Sequence, residues 1–291
     1  MLRTILLGLM MIAASGCGGG DEPPFPAATQ TASAAQADRD WLEALQGGDT
    51  DAATTALADE FQWIDTRGRS RDRAQTVGDI GLLASAISGE SGVQTYAYGN
   101  VDVVTSERAG EQLMRVWTRE GSGWRVFAVI GTELVSGATP FAATGSAAGR
   151  DCDNPCRSMP FTPTTENERT IAALFMQLKM DEWQPNPERW APYVLDGVYY
   201  TTATAQLSKE ARVEHLKTLA ARGEPSFPGD PVVTMRIVDF GDSAVMLARH
   251  DPYRGGQPYL SVRVWTLRDG RWQLANTQQT AIADAPPVAP S

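Results

Sequence analysis

Three residues are candidates for acid–base chemistry, which needs a carboxylate or histidine with a tuned pKa inside an enclosed site. The 291-residue chain has two histidines, His215 in a predicted helix and His250 at a predicted strand end. Asp65 ends an early predicted strand. Each also has a simpler interpretation, because His215 suits an exposed helix face, whereas His250 and Asp65 suit turns. The sequence therefore offers weak catalytic candidates and no matched acid–base pair.

Other signatures of catalysis or nucleic-acid binding are missing from the sequence. It contains no Gly-x-Ser-x-Gly elbow, no Gly-rich phosphate loop and no His-Glu-x-x-His. The net charge is −10, with both signs interspersed and no basic stripe. Because nucleic-acid binding depends on clustered Lys and Arg, we expect no nucleic-acid partner. We likewise expect no metal and no cofactor.

Three cysteines divide into an early one and a close pair. Cys152 and Cys156 stand only four positions apart, and in an exported protein such a pair favours a small disulfide loop. Half of a zinc site and a free thiol pair are the alternatives, although no histidine lies near enough in sequence to complete a zinc site.

The first residues indicate export. A basic start at 1–3 and an apolar run over 4–14 precede Ala13-Ala14-Ser15-Gly16-Cys17, which places small residues before a cysteine. This pattern resembles the bacterial lipobox, which implies cleavage before Cys17 and lipid on its sulfur. The alternative is an ordinary signal peptide. In a source with two membranes, the resemblance implies the periplasmic face of the outer membrane, with the protein attached through its N-terminal lipid.

An internal repeat organises the rest of the chain. Arg115-Val116-Trp117-Thr118, five residues, Trp124, seven residues and a threonine recur as Arg263-Val264-Trp265-Thr266 with the same spacing to Trp272 and another threonine. Matched pairs of a residue as rare as tryptophan indicate a duplicated domain.

Each copy has helix patterns first and strand patterns second. Apolar residues recur at helical spacing after position 37 and again after position 164, and Asp49 and Asn186 are positioned to cap a following short helix. In the second copy, β-branched and aromatic runs predict strands over 232–238, 243–249, 259–267 and 272–282, with Asp269-Gly270 as a two-residue hairpin turn. The sequence thus predicts an α+β fold of two tandem cone-like domains, each a curved antiparallel sheet packed on N-terminal helices.

These motifs resemble a known superfamily. Gly48-Asp49 after the first helix, an aromatic-rich early strand, and Val-Trp-Thr followed by a glycine-bearing turn and a second Trp are similar to the SnoaL-like branch of the nuclear-transport-factor-2 (NTF2) and ketosteroid-isomerase superfamily. The resemblance covers about 37–136 and 164–283. It implies a cone with an internal pocket, which in some members is an active site and in many others a non-catalytic binding or assembly module.

The predicted organisation has six segments. They are a lipoprotein signal peptide (1–16), a flexible tether (17–36), a first domain (37–136), a linker with the cysteine pair (137–163), a second domain (164–284) and a Pro-rich tail (285–291).

The hairpin turn predicts which side chains share a face of the second sheet. Counting back from the turn pairs Trp265 with Leu274, Arg263 with Asn276 and Ser261 with Gln278. The resulting pocket would be lined by Tyr200, Tyr259, Ser261, Arg263, Trp265, Asn276, Gln278 and Thr280. The same count in the first copy pairs Arg115 with Ala128 and Leu113 with Ile130, a more apolar face. We therefore expect any ligand to bind the second cone. Alternatively, the apolar stripes are core, the arginines bind carboxylates of their own domain, and a one-residue slip exposes Asn276 and Gln278.

Two functions from different classes remain. The first is an envelope-anchored lipoprotein whose domains bind, without catalysis, a small apolar ligand or an envelope protein. The alternative is a SnoaL or ketosteroid-isomerase type of enzyme, acting on a hydrophobic small molecule in the second domain. A carboxylate inside that cone, within reach of Arg263 or Tyr200, would favour the enzyme. A cone filled by its own side chains would favour a binding or structural role.

Overall fold

The structure is a computed structural model that describes residues 33–135, 151–197, 199–226, 229–252 and 255–289. Cys17, the predicted signal peptide and nearly all of the predicted tether lie outside the described residues. No helix in the described ranges is long and apolar enough to cross a membrane.

Side-chain caps begin most of the helices. Asp49 accepts a hydrogen bond from the Ala52 N–H, and Asn186 accepts one from the Arg189 N–H, as their positions before a helix predicted. The longest helix begins with a reciprocal capping box between Thr165 and Glu168. The helices are α1 (Ala34–Gly47), α2 (Thr50–Thr55), α3 (Arg73–Gly78), α4 (Ile80–Ile87), α5 (Glu166–Trp183), α6 (Pro187–Trp190) and α7 (Lys209–Arg222).

Twelve strands in the described residues form two six-stranded sheets. They are β1 (Leu57–Ile64), β2 (Ser70–Asp72), β3 (Ser91–Tyr98), β4 (Val101–Arg108), β5 (Glu111–Glu120), β6 (Gly123–Glu133), β7 (Tyr199–Thr202), β8 (Ala205–Ser208), β9 (Val232–Asp239), β10 (Ser243–His250), β11 (Tyr259–Arg268) and β12 (Arg271–Ala281).

The two sheets have the same topology. Their strand orders are β2-β1-β6-β5-β4-β3 and β8-β7-β12-β11-β10-β9. Every neighbouring pair is antiparallel except β1 with β6 and β7 with β12, which are parallel, so each sheet is mixed rather than purely antiparallel. The prediction of an α+β fold with two tandem cone-like domains is confirmed.

A β-bulge at the same place in both copies changes the predicted register. Trp265 pairs with Leu274 as expected, but the next pair is Val264 with Asn276, which leaves Ala275 as the extra residue. Phe127 is the extra residue of the first copy. Because side chains alternate along a strand, one inserted residue moves every later side chain to the opposite face. The register predicted from the hairpin is therefore wrong beyond the bulge.

Three apolar clusters follow from this arrangement. One fills the first cone around Trp41 and Trp117, whose rings meet edge to face at 5.8 Å. A second fills much of the other cone around Trp190 and Trp265. The third lies between the two sheets and joins residues such as Val116 to residues such as Val264. The duplicated sheets thus pack against each other through the faces that point away from their helices.

The described part of the segment between the domains contains the cysteine pair. Cys152 and Cys156 form a disulfide, and both side chains pack against Trp183 at the end of α5. The loop is therefore attached to the helix that carries part of the second cone.

Candidate functional site

The structure divides the predicted pocket residues between two faces of the second sheet. Arg263 and Trp265 on β11 face the second cone, and Tyr200 on β7 faces it too. Ser261 and Tyr259 continue the same face towards the end of β10, where Ser261 contacts His250 and the Tyr259 ring stacks on it at 4.7 Å.

The other three predicted pocket residues point the opposite way, towards the first domain. Tyr98 donates to Asn276 Oδ1 at 2.7 Å, and Thr280 Oγ1 donates to the Thr66 carbonyl at 3.3 Å. Gln278 Nε2 lies 2.8–3.0 Å from the Gln112 carbonyl and from two further acceptors of β6. The prediction that these residues share a face with Trp265 is wrong because of the bulge. They hold the domains together, and two of them line a polar cavity of about 270 Å³ between the sheets.

The bulge has the same effect in the first copy. Arg115 pairs with Val129 instead of Ala128, and Leu113 pairs with Gly131 instead of Ile130. Ala128 and Ile130 belong to the cluster between the sheets.

A cavity of about 140 Å³ remains inside the second cone. It lies between α5, α7 and the strands β7, β8, β11 and β12. Four apolar side chains and several polar ones line it, so the cone is not filled by its own side chains. The lining residues are Phe175, Leu178, Lys179, Glu182, Tyr200, Thr202, Leu207, Arg212, Arg263, Leu274, Thr277 and Gln279.

Three hydrogen-bond donors stand side by side on neighbouring strands of this cavity. Thr277 of β12 pairs with Tyr200 on one side and with Arg263 on the other. The hydroxyl oxygens of Tyr200 and Thr277 are buried and have no hydrogen-bond partner among the described residues, and neither has the buried Trp265 Nε1. A buried polar group without a partner costs about 1–3 kcal/mol. The second cone thus contains several donors whose acceptor is not part of the described chain.

The cavity also contains more positive than negative charge. Glu182 Oε2 accepts from Lys179 Nζ at 2.8 Å and lies 3.0 Å from Arg212 NH2, with Arg263 as the third cation of the lining. Burial opposes ionisation of Glu182, but the nearby Lys179 and Arg212 outweigh it and lower its pKa to about 2. Burial lowers the pKa of Lys179, which Glu182 partly restores.

Neutral acceptors position Arg263. Its NH1 donates to Ser261 Oγ at 2.6 Å, and both terminal nitrogens lie 3.3 Å from His250 Nε2. His250 Nδ1 lies 3.1 Å from the Asp230 carbonyl, which can only accept, so Nδ1 carries the proton and Nε2 accepts. Burial and the nearby Arg263 hold the pKa of His250 well below its usual value, consistent with this neutral form. His250 is therefore a buried positioning residue, and its interpretation as a turn residue is wrong.

The first cone satisfies its corresponding arginine internally. Asp38 accepts from Arg115 Nε at 2.6 Å and NH2 at 2.9 Å, and it also accepts from Trp117 Nε1 at 2.9 Å. Glu90 accepts from the other side of the same guanidinium. The arginine of the first cone therefore binds carboxylates of its own domain.

The second cone has an aromatic ring in place of that aspartate. Asp38 lies eleven residues before the helix cap Asp49, and Phe175 lies eleven residues before the helix cap Asn186. The Phe175 ring centre is 4.9 Å from the Arg263 guanidinium carbon. No carboxylate of the described residues forms an ion pair with Arg263.

Asp65 and His215, the other two candidates for acid–base chemistry, lie outside the second-cone cavity. Asp65 Oδ1 accepts from the N–H groups of Arg67 and Arg69, and its other oxygen pairs with Arg69 and Arg71, so it fixes a turn. It also lines a small cavity of about 50 Å³ in the first cone. His215 is half-buried on α7 and does not line the second-cone cavity. No group of three His, Cys, Asp or Glu side chains in the described ranges could hold a metal ion.

Of the twelve residues that line the cavity, sequence reasoning assigned Tyr200 and Arg263 to a pocket. The missed residues include four that carry charge or an unpartnered hydroxyl: Lys179, Glu182, Arg212 and Thr277. The signal for two of them was present in α5. The apolar stripe of α5 includes Phe175 and Leu178. Lys179 and Glu182 follow at the same helical spacing, so these two charged side chains are expected to lie on the face that points into the domain.

Comparisons with known proteins concern the fold. No protein-family model and no curated protein matches the chain. An NTF2-like protein from Cytophaga hutchinsonii is 17% identical with a TM-score of 0.35, over 40% of this chain and 100% of its own. An NTF-2-like protein of unknown function from Silicibacter pomeroyi is 14% identical with a TM-score of 0.32, over 41% and 99%. An NTF2-like protein of unknown function in nutrient uptake from Rhodospirillum rubrum is 20% identical with a TM-score of 0.29, over 36% and 100%. Each of these similarities concerns the fold alone and spans about two fifths of the chain.

Proposed function

We propose that the second cone is a non-catalytic binding domain for a small organic molecule. One observation carries the proposal: the cavity of about 140 Å³ is lined by the donors Tyr200, Thr277 and Arg263, and the two hydroxyls have no partner in the described chain. A bound ligand would provide the missing acceptors, and the surrounding leucines would contact its apolar part.

The chemistry of the titratable groups supports binding over catalysis. Glu182 meets the positional condition for an isomerase-type enzyme, because it lines the cavity together with Tyr200 and Arg263. Its pKa of about 2 makes it a poor proton acceptor at neutral pH, since an effective general base has a pKa near the working pH. His250 Nε2 is occupied by Arg263 and Ser261. The isomerase-type enzyme remains the alternative.

The first cone has a structural role in this proposal. Its interior arginine is neutralised by Asp38 and Glu90, and its sheet packs against the sheet that forms the floor of the second cone. With lipid on Cys17, as the lipobox resemblance implies, the chain would present the second cone at the cell envelope. An envelope protein bound by the same chain is compatible with this arrangement.

Ligand binding is tested on the purified mature chain by native mass spectrometry and by a screen of small organic fragments. Leu207→Trp would fill the cavity and should abolish binding, because Leu207 lines it. Leu267→Trp is the matched control, since Leu267 is 36% exposed on β11 and lies outside the cavity. The proposal fails if fragments bind both variants equally or bind neither variant nor the wild type.

A further inference from the structure

The first cone shows what the open donors of the second cone require. There, a carboxylate receives two N–H groups of the arginine fork and the indole N–H of the neighbouring tryptophan. The second cone has the corresponding arginine and tryptophan but carries Phe175 at the aspartate's position, and no carboxylate of the described residues bonds to either of them. The second copy thus has the donors of the first without the acceptor.

We propose that the ligand of the second cone is a small carboxylic acid, bound as its carboxylate by Arg263, Tyr200 and Thr277. This inference rests on the proposed function and specifies the chemical class of the ligand. All three side chains line one cavity and occupy one row across β7, β12 and β11. A carboxylate accepts at both oxygens and matches the planar guanidinium fork.

The hydrogen-bond inventory of Arg263 supports an additional acceptor. A guanidinium has five N–H donors. In the described chain, Ser261 Oγ and His250 Nε2 are its hydrogen-bond acceptors, and both are neutral. The Arg263 side chain is buried from water, and the groups that accept its hydrogen bonds carry no charge to compensate its own. Arg115 is also buried, but two carboxylates contact it.

The charge of the cavity selects against neutral and cationic ligands. Lys179, Arg212 and Arg263 face a single carboxylate, that of Glu182, so the lining has an excess of positive charge within a protein of net charge −10. An anion would be attracted by this excess in a site of low dielectric.

Size and wall chemistry restrict the rest of the ligand. A cavity of about 150 Å³ lined by apolar groups holds a benzene-sized molecule, and the cavity here is about 140 Å³. Leu178, Leu207, Leu274 and Phe175 form its apolar wall. These features favour a carboxylic acid with one ring or a short branched chain.

Isothermal titration of the mature chain with benzoate, benzamide and benzyl alcohol tests the inference. Benzoate should bind, and the two neutral compounds should bind at least about tenfold more weakly, because hydrogen bonds to charged groups contribute more than those between neutral groups. Arg263→Met should abolish benzoate binding, and Thr277→Val should weaken it several-fold with little change in shape. Arg222→Met, at the exposed end of α7, is the matched control and should bind normally.

The outcomes separate this inference from the broader proposal. Equal affinity for benzoate and benzamide would overturn the carboxylate assignment while supporting a binding cavity. Absence of binding by all three compounds would overturn the assignment, and the fragment screen would then decide whether the cavity binds anything. If Arg263→Met does not fold, Thr277→Val decides the question. An unchanged affinity of that variant for benzoate would overturn the proposal that Arg263, Tyr200 and Thr277 bind the carboxylate together.

Discussion

Replacing Gln278 with leucine should destabilise the chain by breaking contacts between its two domains. In the structure, one side-chain amide nitrogen lies 2.8 Å from the Gln112 carbonyl, 3.0 Å from the Ile130 carbonyl and 3.0 Å from Thr132 Oγ1. Leucine has a similar volume but donates nothing, so these acceptors would stay buried without their donor.

The magnitude follows from the number of N–H groups that are lost. Two N–H groups, each worth about 0.5–1.5 kcal/mol net, give about 1–3 kcal/mol, and because the acceptors are left buried without a donor we expect the upper part of that range, about 2–3 kcal/mol, as the loss in the free energy of unfolding. For a chain of this size, that loss corresponds to a decrease in Tm of roughly 5–10 °C. Differential scanning calorimetry at neutral pH measures it directly.

Gln279→Leu is the matched control. Gln279 follows Gln278 on β12, but its side chain faces the second-cone cavity and not the first domain. We expect its Tm to remain within about 2 °C of the wild type. If Gln278→Leu left Tm unchanged, or if the two substitutions lowered it equally, the bulged register and the interdomain role of Gln278 would both be wrong.

Four further predictions concern single groups. Because the pKa of Glu182 in the folded chain is about 2, below its ordinary 4.5, its stabilising contribution is present above pH 4.5 and lost as pH falls towards 2, so the Tm difference between wild type and Glu182→Gln should shrink over that range. Asp38→Ala leaves a buried arginine with one carboxylate fewer and should cost about 3–5 kcal/mol in urea unfolding; a loss below about 1 kcal/mol would contradict the account of the first cone. Cys17→Ser should give unprocessed or released protein in membrane fractionation, and processed protein that stays membrane-bound would refute lipidation. Mass spectrometry of a non-reduced digest should find Cys152 linked to Cys156, and two freely alkylated thiols would rule the disulfide out.

Patterns within short segments determined the architecture from the sequence. The tryptophan repeat indicated two domains, and β-branched runs between turn residues located β9, β10, β11 and β12, four of the six strands of the second sheet, to within one residue at each end. Asp269 and Gly270 both have positive φ, as a two-residue hairpin of this type requires, so the turn residues themselves indicated the hairpin. The caps at Asp49 and Asn186 followed from equally local chemistry.

The face occupied by each side chain after the bulge was decided only by the tertiary structure. Nothing about Ala275 or Phe127 marks either as an extra residue, since both suit an ordinary strand position. The bulges leave each of them in the cluster between the sheets. Because side chains alternate between the two faces of a strand, the single extra residue reverses the face of every later residue of β12. Asn276, Gln278 and Thr280 were therefore assigned to the wrong face.

The composition of the candidate site also depended on long-range packing. Arg263 was recognised from its strand, but two of its contacts come from other elements: His250 from the end of β10 and Phe175 from α5. His250 resembles a turn residue beside Asp251 until β10 and β11 pair and bury it. Local propensity and periodicity depend on neighbouring residues and were therefore readable from the sequence. Burial, charge compensation and the absence of a partner for a donor depend on which segments meet, and only the folded chain determines that.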